Sequence, residues 1–155
     1  MRQLLLTFLI GISGIALSQL SVQERCKNFN TENKVALQGY DPIAYFTLNK
    51  PVKGKSSYQL NQQGIIYYFS SNANKKLFFE NPNKFEPQYG GWCAFAMGDN
   101  GEKVEIDPET FKITDGKLYV FYNGYFNNTL KSWNKDEKKL KIKADKNWSK
   151  ITTKS

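Results

Sequence analysis

The sequence predicts an α+β domain in which two short hairpins form a small antiparallel sheet with helices packed on it. Aromatic and β-branched residues are concentrated in two pairs of short runs, each pair joined by a glycine-containing turn, a pattern typical of hairpins. The C-terminal segment combines apolar positions at helical spacing with many lysines, which predicts a basic helical tail. With 155 residues, 40% of them hydrophobic and 15% aromatic, the chain suffices for one domain with its own core.

Residues 1–18 are predicted to be a cleavable signal peptide. Arg2 supplies a short positive region, and residues 4–17 form an apolar run that is shorter than the roughly 20 residues needed to span a bilayer. The small residues Ala16 and Ser18 suit cleavage after Ser18. We therefore expect a protein exported to the periplasm or secreted, with an uncleaved membrane anchor as the alternative.

Export determines whether the two cysteines can form a disulfide. In an oxidising compartment, Cys26 and Cys93 can form a disulfide. The alternative is two free thiols, with Cys93 buried in a glycine-rich aromatic segment. The sequence leaves both alternatives open, because it does not show whether the two Cα atoms lie within bridging distance.

The rest of the chain divides into a polar lead-in, residues 19–33, and a globular domain, residues 34–155. The lead-in is expected to hold a short helix from Cys26 onward. In the domain, Asp41 before Pro42 predicts the start of a helix, because Asp is a good N-cap and Pro suits the first turn.

The two predicted hairpins are the best-marked elements of the domain. The first joins residues 57–61 to residues 65–69 through a short loop that contains a glycine. The second joins residues 111–113 to residues 118–122 across Asp115-Gly116, which is a strong turn signal.

A helix is predicted after the first hairpin. Ser71 or Asn72 can cap it, and the helix is expected to end before Pro82. Leu77 and Phe78 are expected to supply the face that packs on the core.

The tail, residues 125–151, is predicted to be helical. One apolar stripe should dock on the domain, and it comprises Leu130, Trp133, Leu140, Ala144, Trp148 and Ile151. Between residues 131 and 154 there are nine lysines against three acidic residues, so the other faces are strongly basic. We expect a solvated face there, with weak contact to an anionic surface as the alternative, and no nucleic-acid partner for an exported protein.

The charged composition excludes several kinds of active site. The formal net charge is +8, and the chain contains no histidine. Histidine is the usual general base near neutral pH and the commonest metal ligand. A Ser-His-Asp triad, a Cys-His dyad and a histidine-liganded zinc site are therefore excluded.

Six segments resemble, in the same order, the motifs of exported YHS-domain proteins. They are residues 35–46 (VALQGYDPIAYF), 67–71 (YYFSS), 87–94 (PQYGGWCA), 106–108 (IDP), 115–119 (DGKLY) and 144–148 (ADKNW). The likeness spans residues 34–151. Related short domains in heavy-metal transporters imply metal binding through cysteine, for which Cys93 is the matching thiol here. At the Tyr-His-Ser motif this chain has Tyr68-Phe69-Ser70, and the resemblance implies no established reaction.

A soft-metal site is one functional hypothesis. Cys93 and Met97 are four residues apart and would share one face of a helix. Thiolate and thioether ligands favour Cu(I), so copper is the predicted cofactor on this hypothesis. The alternative is that both side chains fill the core.

A small-ligand site is the other hypothesis that we favour. Four aromatic residues flank glycine-rich or capping turns and can present polar groups to a pocket: Tyr40, Tyr45, Tyr89 and Trp92, together with Asp41. The alternative is that these side chains pack and hydrogen-bond within the core, as they would in a structural or protein-interaction domain without a ligand.

Two further interpretations involve reactive side chains. Asp41 and Asp107 each precede Pro and are either a carboxylate pair for metal or acid–base chemistry or two turn and cap residues, which is the usual role of Asp-Pro. Residues 107–109 are accordingly predicted to form a turn or short helix. A cysteine-dependent enzyme using Cys93 needs a neighbouring cation to lower the thiol pKa, and we do not expect the chain to be an enzyme.

Overall fold

The computed structural model describes residues 20–153 and confirms the α+β class. The predicted signal peptide, residues 1–18, lies outside the described residues. The helices are α1 (Val22–Asn28), α2 (Pro42–Thr47), α3 (Asn72–Glu80), α4 (Pro82–Phe85), α5 (Ala94–Asp99), α6 (Thr129–Trp133) and α7 (Glu137–Thr153). The strands are β1 (Thr31–Glu32), β2 (Val35–Ala36), β3 (Lys55–Gln62), β4 (Ile65–Phe69), β5 (Asp107–Thr114), β6 (Lys117–Phe121), β7 (Asn123–Gly124) and β8 (Asn127–Asn128).

The two predicted hairpins are present, and they lie in separate sheets. Strands β3 and β4 pair antiparallel and belong to a four-stranded sheet with the order β1-β2-β4-β3. In that sheet β2 runs parallel to β4, with Val35 opposite Ile66. Strands β5 and β6 form a two-stranded sheet of their own, and β7 and β8 form a third small ribbon.

Local capping explains why several elements begin where they do. The Asp41 side chain accepts a hydrogen bond from the Ile43 N–H and caps α2, as predicted. Ser71, the first of the two predicted candidates, caps α3. The turn between β5 and β6 has left-handed φ at Asp115 (+52°) and Gly116 (+69°), the geometry that this dipeptide favours.

Four local predictions are corrected. The tail predicted to be helical from residue 125 begins instead with the turn and second strand of the β7–β8 ribbon, and its first helix, α6, starts at Thr129. The first helix starts at Val22 rather than near Cys26, because Ser21 and Glu24 form a capping box there. Leu77 is 43% exposed, and Phe78 alone of the predicted pair is buried. Residues 107–109 open β5 instead of forming a turn or short helix, and an irregularity in the β5–β6 register accommodates the Asp-Pro sequence.

The core consists of three apolar clusters. One lies between the four-stranded sheet and α3 and includes Tyr67, Phe69 and Phe78. A second lies on the β5–β6 hairpin, and the third joins β6 and α5 to the tail helices. The tail residues of the third cluster are those of the predicted stripe: Leu130, Trp133, Leu140, Ala144, Trp148 and Ile151. Among the described residues, no helix is long and apolar enough to cross a membrane.

Candidate ligand-binding cleft

A cleft of about 450 Å³ lies where the glycine-rich segment meets the C-terminal helix. Its apolar walls are Leu20, Phe29, Pro87 and Trp148. Its polar lining comprises Asn83, Glu86, Gln88, Tyr89, Asp145, Ser149, Thr152 and Thr153, with the Gly90 backbone. The cleft is thus built by residues from the N-terminal segment, the loop after α4 and the last turns of α7.

The backbone at Tyr89 and Gly90 shapes the floor of the cleft. Both residues lie in a 3-10 turn (Gln88–Gly91) with left-handed φ, +55° at Tyr89 and +60° at Gly90. A Cβ atom on Gly90 would lie 2.9 Å from the Trp148 ring and 3.1 Å from Phe29, so glycine is required for these rings to approach. A tyrosine with left-handed φ is unusual, and such residues concentrate at functional sites.

Tyr89 connects the floor to the helix opposite. Its ring is buried, and its hydroxyl donates a 2.9 Å hydrogen bond to Asp145 Oδ1. Burial, followed by this hydrogen bond to the Asp145 carboxylate, raises the pKa of Tyr89. The phenol is therefore a fixed donor at neutral pH, and it orients the carboxylate of Asp145 at the cleft.

A second carboxylate reaches the cleft from a buried ion pair. Glu86 accepts a 3.2 Å hydrogen bond from Arg25 Nη1 and a 3.0 Å hydrogen bond from the Tyr67 hydroxyl. The Arg25 and Glu86 side chains are only 8% and 11% exposed. The Arg25 guanidinium also lies 4.4 Å from the centroid of the Phe29 ring. Removing either charge would leave its partner buried and unpaired, so this pair fixes the wall of the cleft.

One lining carboxylate of the cleft has no cation paired with it among the described residues. Glu86 and Asp145 both line the cleft, but Arg25 neutralises Glu86, and Asp145 is left without a basic residue in the described lining. Phe29 and Trp148 pack edge to face with their ring centroids 6.2 Å apart. Carboxylates beside aromatic faces suit an organic cation, since both attract positive charge.

Of the five residues predicted to bind a small ligand, only Tyr89 lines this cleft. Tyr40 and Tyr45 pack in the second cluster, where their hydroxyls donate to Glu109 Oε1 (2.9 Å) and to the Pro108 carbonyl (2.8 Å). Both tyrosines hold the start of β5 against α2. They serve the core, which was the alternative interpretation of these residues.

Asp41 is completely buried and serves as a structural acceptor. Its carboxylate accepts from the Ile43 N–H (2.9 Å), the Ser70 N–H (2.8 Å), the Ser70 hydroxyl (2.6 Å) and Asn74 Nδ2 (2.7 Å). Asp107 likewise bonds locally, to the Glu109 N–H and the Thr110 hydroxyl. Asp41 therefore caps α2, and Asp107 bonds to neighbouring residues at the start of β5, so both carboxylates already serve structural hydrogen bonds.

Trp92 is half-buried beside the same glycine-rich turn. Its indole N–H donates a 2.7 Å hydrogen bond to the Asn28 carbonyl, and Lys103 Nζ lies 5.9 Å from its ring. Lys103 has a lowered pKa because of burial and then because of nearby Lys27. The tryptophan thus anchors the end of α1 and does not line the cleft.

The two predicted metal ligands, Cys93 and Met97, pack in different core clusters. Cys93 packs in the second cluster, where its Sγ accepts from the Tyr122 N–H at 3.3 Å and lies 3.4 Å from the Thr129 hydroxyl. Met97 packs in the third cluster, so the two sulfur atoms have different surroundings although they are four residues apart. Among residues 20–153, no group of three or more His, Cys, Asp or Glu side chains is placed to hold a metal ion.

The structure also separates the two cysteines. Both are free thiols: Cys26 is exposed beside the Gly64 carbonyl, and Cys93 is buried. Of the two alternatives for their redox state, the structure contains the one without a disulfide.

The acidic residues of the cleft were not found from the sequence. Glu86 and Asp145 are 59 positions apart, and a single carboxylate near Pro87 or among lysines carries no local signal. Trp148 was predicted to dock on the domain, and it does so at the edge of the cleft. In comparisons with known proteins, no family model, no curated protein and no solved structure matches the chain.

Proposed function

We propose that the protein is a small-ligand-binding module and that the cleft takes a small organic cation, such as an amine or a quaternary ammonium compound. The observation that carries the proposal is the Asp145 carboxylate, which lines the cleft with no basic residue in the described lining, whereas the other lining carboxylate, Glu86, is already paired with Arg25. The resemblance to exported YHS-domain proteins and the signal-peptide pattern support a setting outside the cytoplasm.

Ligand recognition would combine the acidic and the aromatic walls of the cleft. The Tyr89 phenol donates to Oδ1 of Asp145 and holds the carboxylate in place. The other oxygen, Oδ2, can then pair with the ammonium group of the ligand. The Phe29 and Trp148 rings offer apolar area, and the electron-rich face is that of Trp148, since Arg25 already lies over a face of Phe29. A volume of about 450 Å³ lies within the range of small-molecule sites.

The test uses two ligands of the same shape and different charge. Isothermal titration with benzylammonium is expected to show binding, and titration with benzyl alcohol is expected to show much weaker binding. In Asp145→Asn the amide oxygen still accepts from Tyr89, but the charge is lost, so affinity for benzylammonium should fall about two- to fivefold.

Asp136→Asn is the matched control, since it removes the same charge near the start of α7 without touching the cleft. Its affinity for benzylammonium should equal that of the unsubstituted protein. Equal binding of the two ligands, or equal loss in both variants, would contradict the proposal. Absence of binding by benzylammonium, choline and putrescine alike would favour a structural or protein-interaction role.

A further inference from the structure

The tip of the β7–β8 ribbon presents two aromatic side chains to solvent. Tyr125 and Phe126 form the two-residue turn between the paired residues Gly124 and Asn127. Their exposed fractions are 95% and 113%, the highest among the exposed large hydrophobic side chains of the described residues. Both have left-handed φ, +48° and +66°.

The residues of this turn are poorly suited to its backbone conformation. Two-residue hairpin turns with left-handed φ strongly prefer Asn-Gly or Asp-Gly, and the β5–β6 turn of the same chain follows that preference with Asp115-Gly116. Bulky aromatic residues are strained there, and at these exposures they gain no compensating contact within the domain. Within the described residues, therefore, these two rings remain uncovered.

The chain that follows the tip is basic. Residues 116–135 contain no Asp or Glu, and Lys131 on α6 and Lys135 just after it follow the ribbon. The Thr129 N–H bonds the Tyr122 carbonyl at 3.0 Å, which ties the start of α6, and with it exposed Lys131, to the base of the ribbon.

Asp107 is an acidic side chain that bonds to the ribbon, and it does so at the base. Asp107 Oδ2 lies 3.4 Å from Asn123 Nδ2, at the end away from the turn. The same oxygen accepts a 2.8 Å hydrogen bond from the Thr110 hydroxyl. The tip itself therefore remains free of nearby negative charge from its own strands and from α6.

We propose that Tyr125 and Phe126 insert into the interfacial region of an anionic lipid bilayer while the neighbouring lysines contact its headgroups. A convex tip of two side chains buries far less than the roughly 800 Å² per partner that a stable protein interface requires. A bilayer surface needs only a few apolar side chains together with positive charge, and Phe and Tyr suit its headgroup level. This surface is distinct from the proposed ligand cleft, so either proposal can fail alone.

The experiment places a reporter at the tip of the full chain. The apolar run of residues 4–17 can bind lipid by itself, so total vesicle binding is uninformative and a local readout is needed. In Phe126→Trp, vesicles containing phosphatidylglycerol should shift the added emission to shorter wavelength, and brominated lipids should quench it. The matched control is Phe79→Trp, at a side chain that is 69% exposed on α3, and it should show neither effect.

The outcomes are distinct. A shift at position 126 on anionic vesicles that is absent on phosphatidylcholine vesicles and reduced in Lys131→Gln/Lys135→Gln supports the proposal. No shift, an equal shift on both lipids, or an equal shift at position 79 overturns it. A shift at position 126 that depends on protein concentration without vesicles would overturn it in favour of self-association.

Discussion

Replacing the buried carboxylate of Asp41 should be one of the most destabilising conservative changes in this protein. In Asp41→Asn, the retained oxygen can still accept from the Ile43 N–H, but an NH2 group replaces the Oδ2 atom that now accepts from Ser70 and Asn74. The Ser70 hydroxyl and the Asn74 amide can reorient, whereas the Ser70 N–H cannot. One buried backbone donor is left unpaired and two charge-assisted hydrogen bonds are weakened, which should cost about 2–4 kcal/mol of unfolding free energy.

The assay is urea denaturation followed by tryptophan fluorescence. Asp115→Asn is the matched control, because Asp115 lies in an exposed turn that Asn suits equally well and loses only a surface pair with Lys141. We expect its denaturation midpoint to stay near that of the unsubstituted protein. A loss below about 1 kcal/mol in Asp41→Asn would show that the four-donor arrangement contributes little.

Two further predictions concern side-chain reactivity. Exposed Cys26 should react with a thiol reagent in the folded protein, whereas buried Cys93 should react only after unfolding. In denaturant without reductant, the reagent should count two thiols. A count of zero thiols under those conditions would establish a disulfide instead. Burial raises the pKa of Tyr45, Tyr67 and Tyr89 above 10.0 in the folded state. Since the unfolded chain then loses these protons first, stability should be unaffected by them below about pH 10 and should fall above it. A phenolate absorbance titration should show late-titrating tyrosines, and simultaneous ionisation of all nine near pH 10 would refute the assignment.

Local chemistry made part of the fold predictable. The cap at Asp41, the turn at Asp115-Gly116 and the apolar stripe on the tail depend on neighbouring residues, and the structure confirms all three. The placement of the hairpins in separate sheets depends on how distant strands meet. It could not follow from periodicity, because the parallel partner of β4 is the two-residue strand β2.

The candidate site was less predictable for the same reason. Tyr89 was found because it adjoins Gly90-Gly91, a local signal of close backbone approach. Tyr40 and Tyr45 also lie near a glycine or a helix cap in the sequence and were predicted to line the same site. Their hydroxyls instead hydrogen-bond within the domain. Whether an aromatic residue faces a cleft or a strand is decided by tertiary packing, which the sequence does not encode locally.

The edge-to-face contact of Phe29 with Trp148 bears on how the chain reaches its native state. These rings come from opposite ends of the described chain, and the third cluster also needs Leu140 and Ala144 from α7. Closing so long a loop costs conformational entropy and slows folding, and the compensating apolar contacts of the third cluster form only when α7 is present. During synthesis, therefore, the third cluster stays incomplete until α7 emerges, whereas the buried residues of the first two clusters precede α6. In a chain exported as its N-terminal segment predicts, that delay would keep the third cluster unpacked during the early part of translocation.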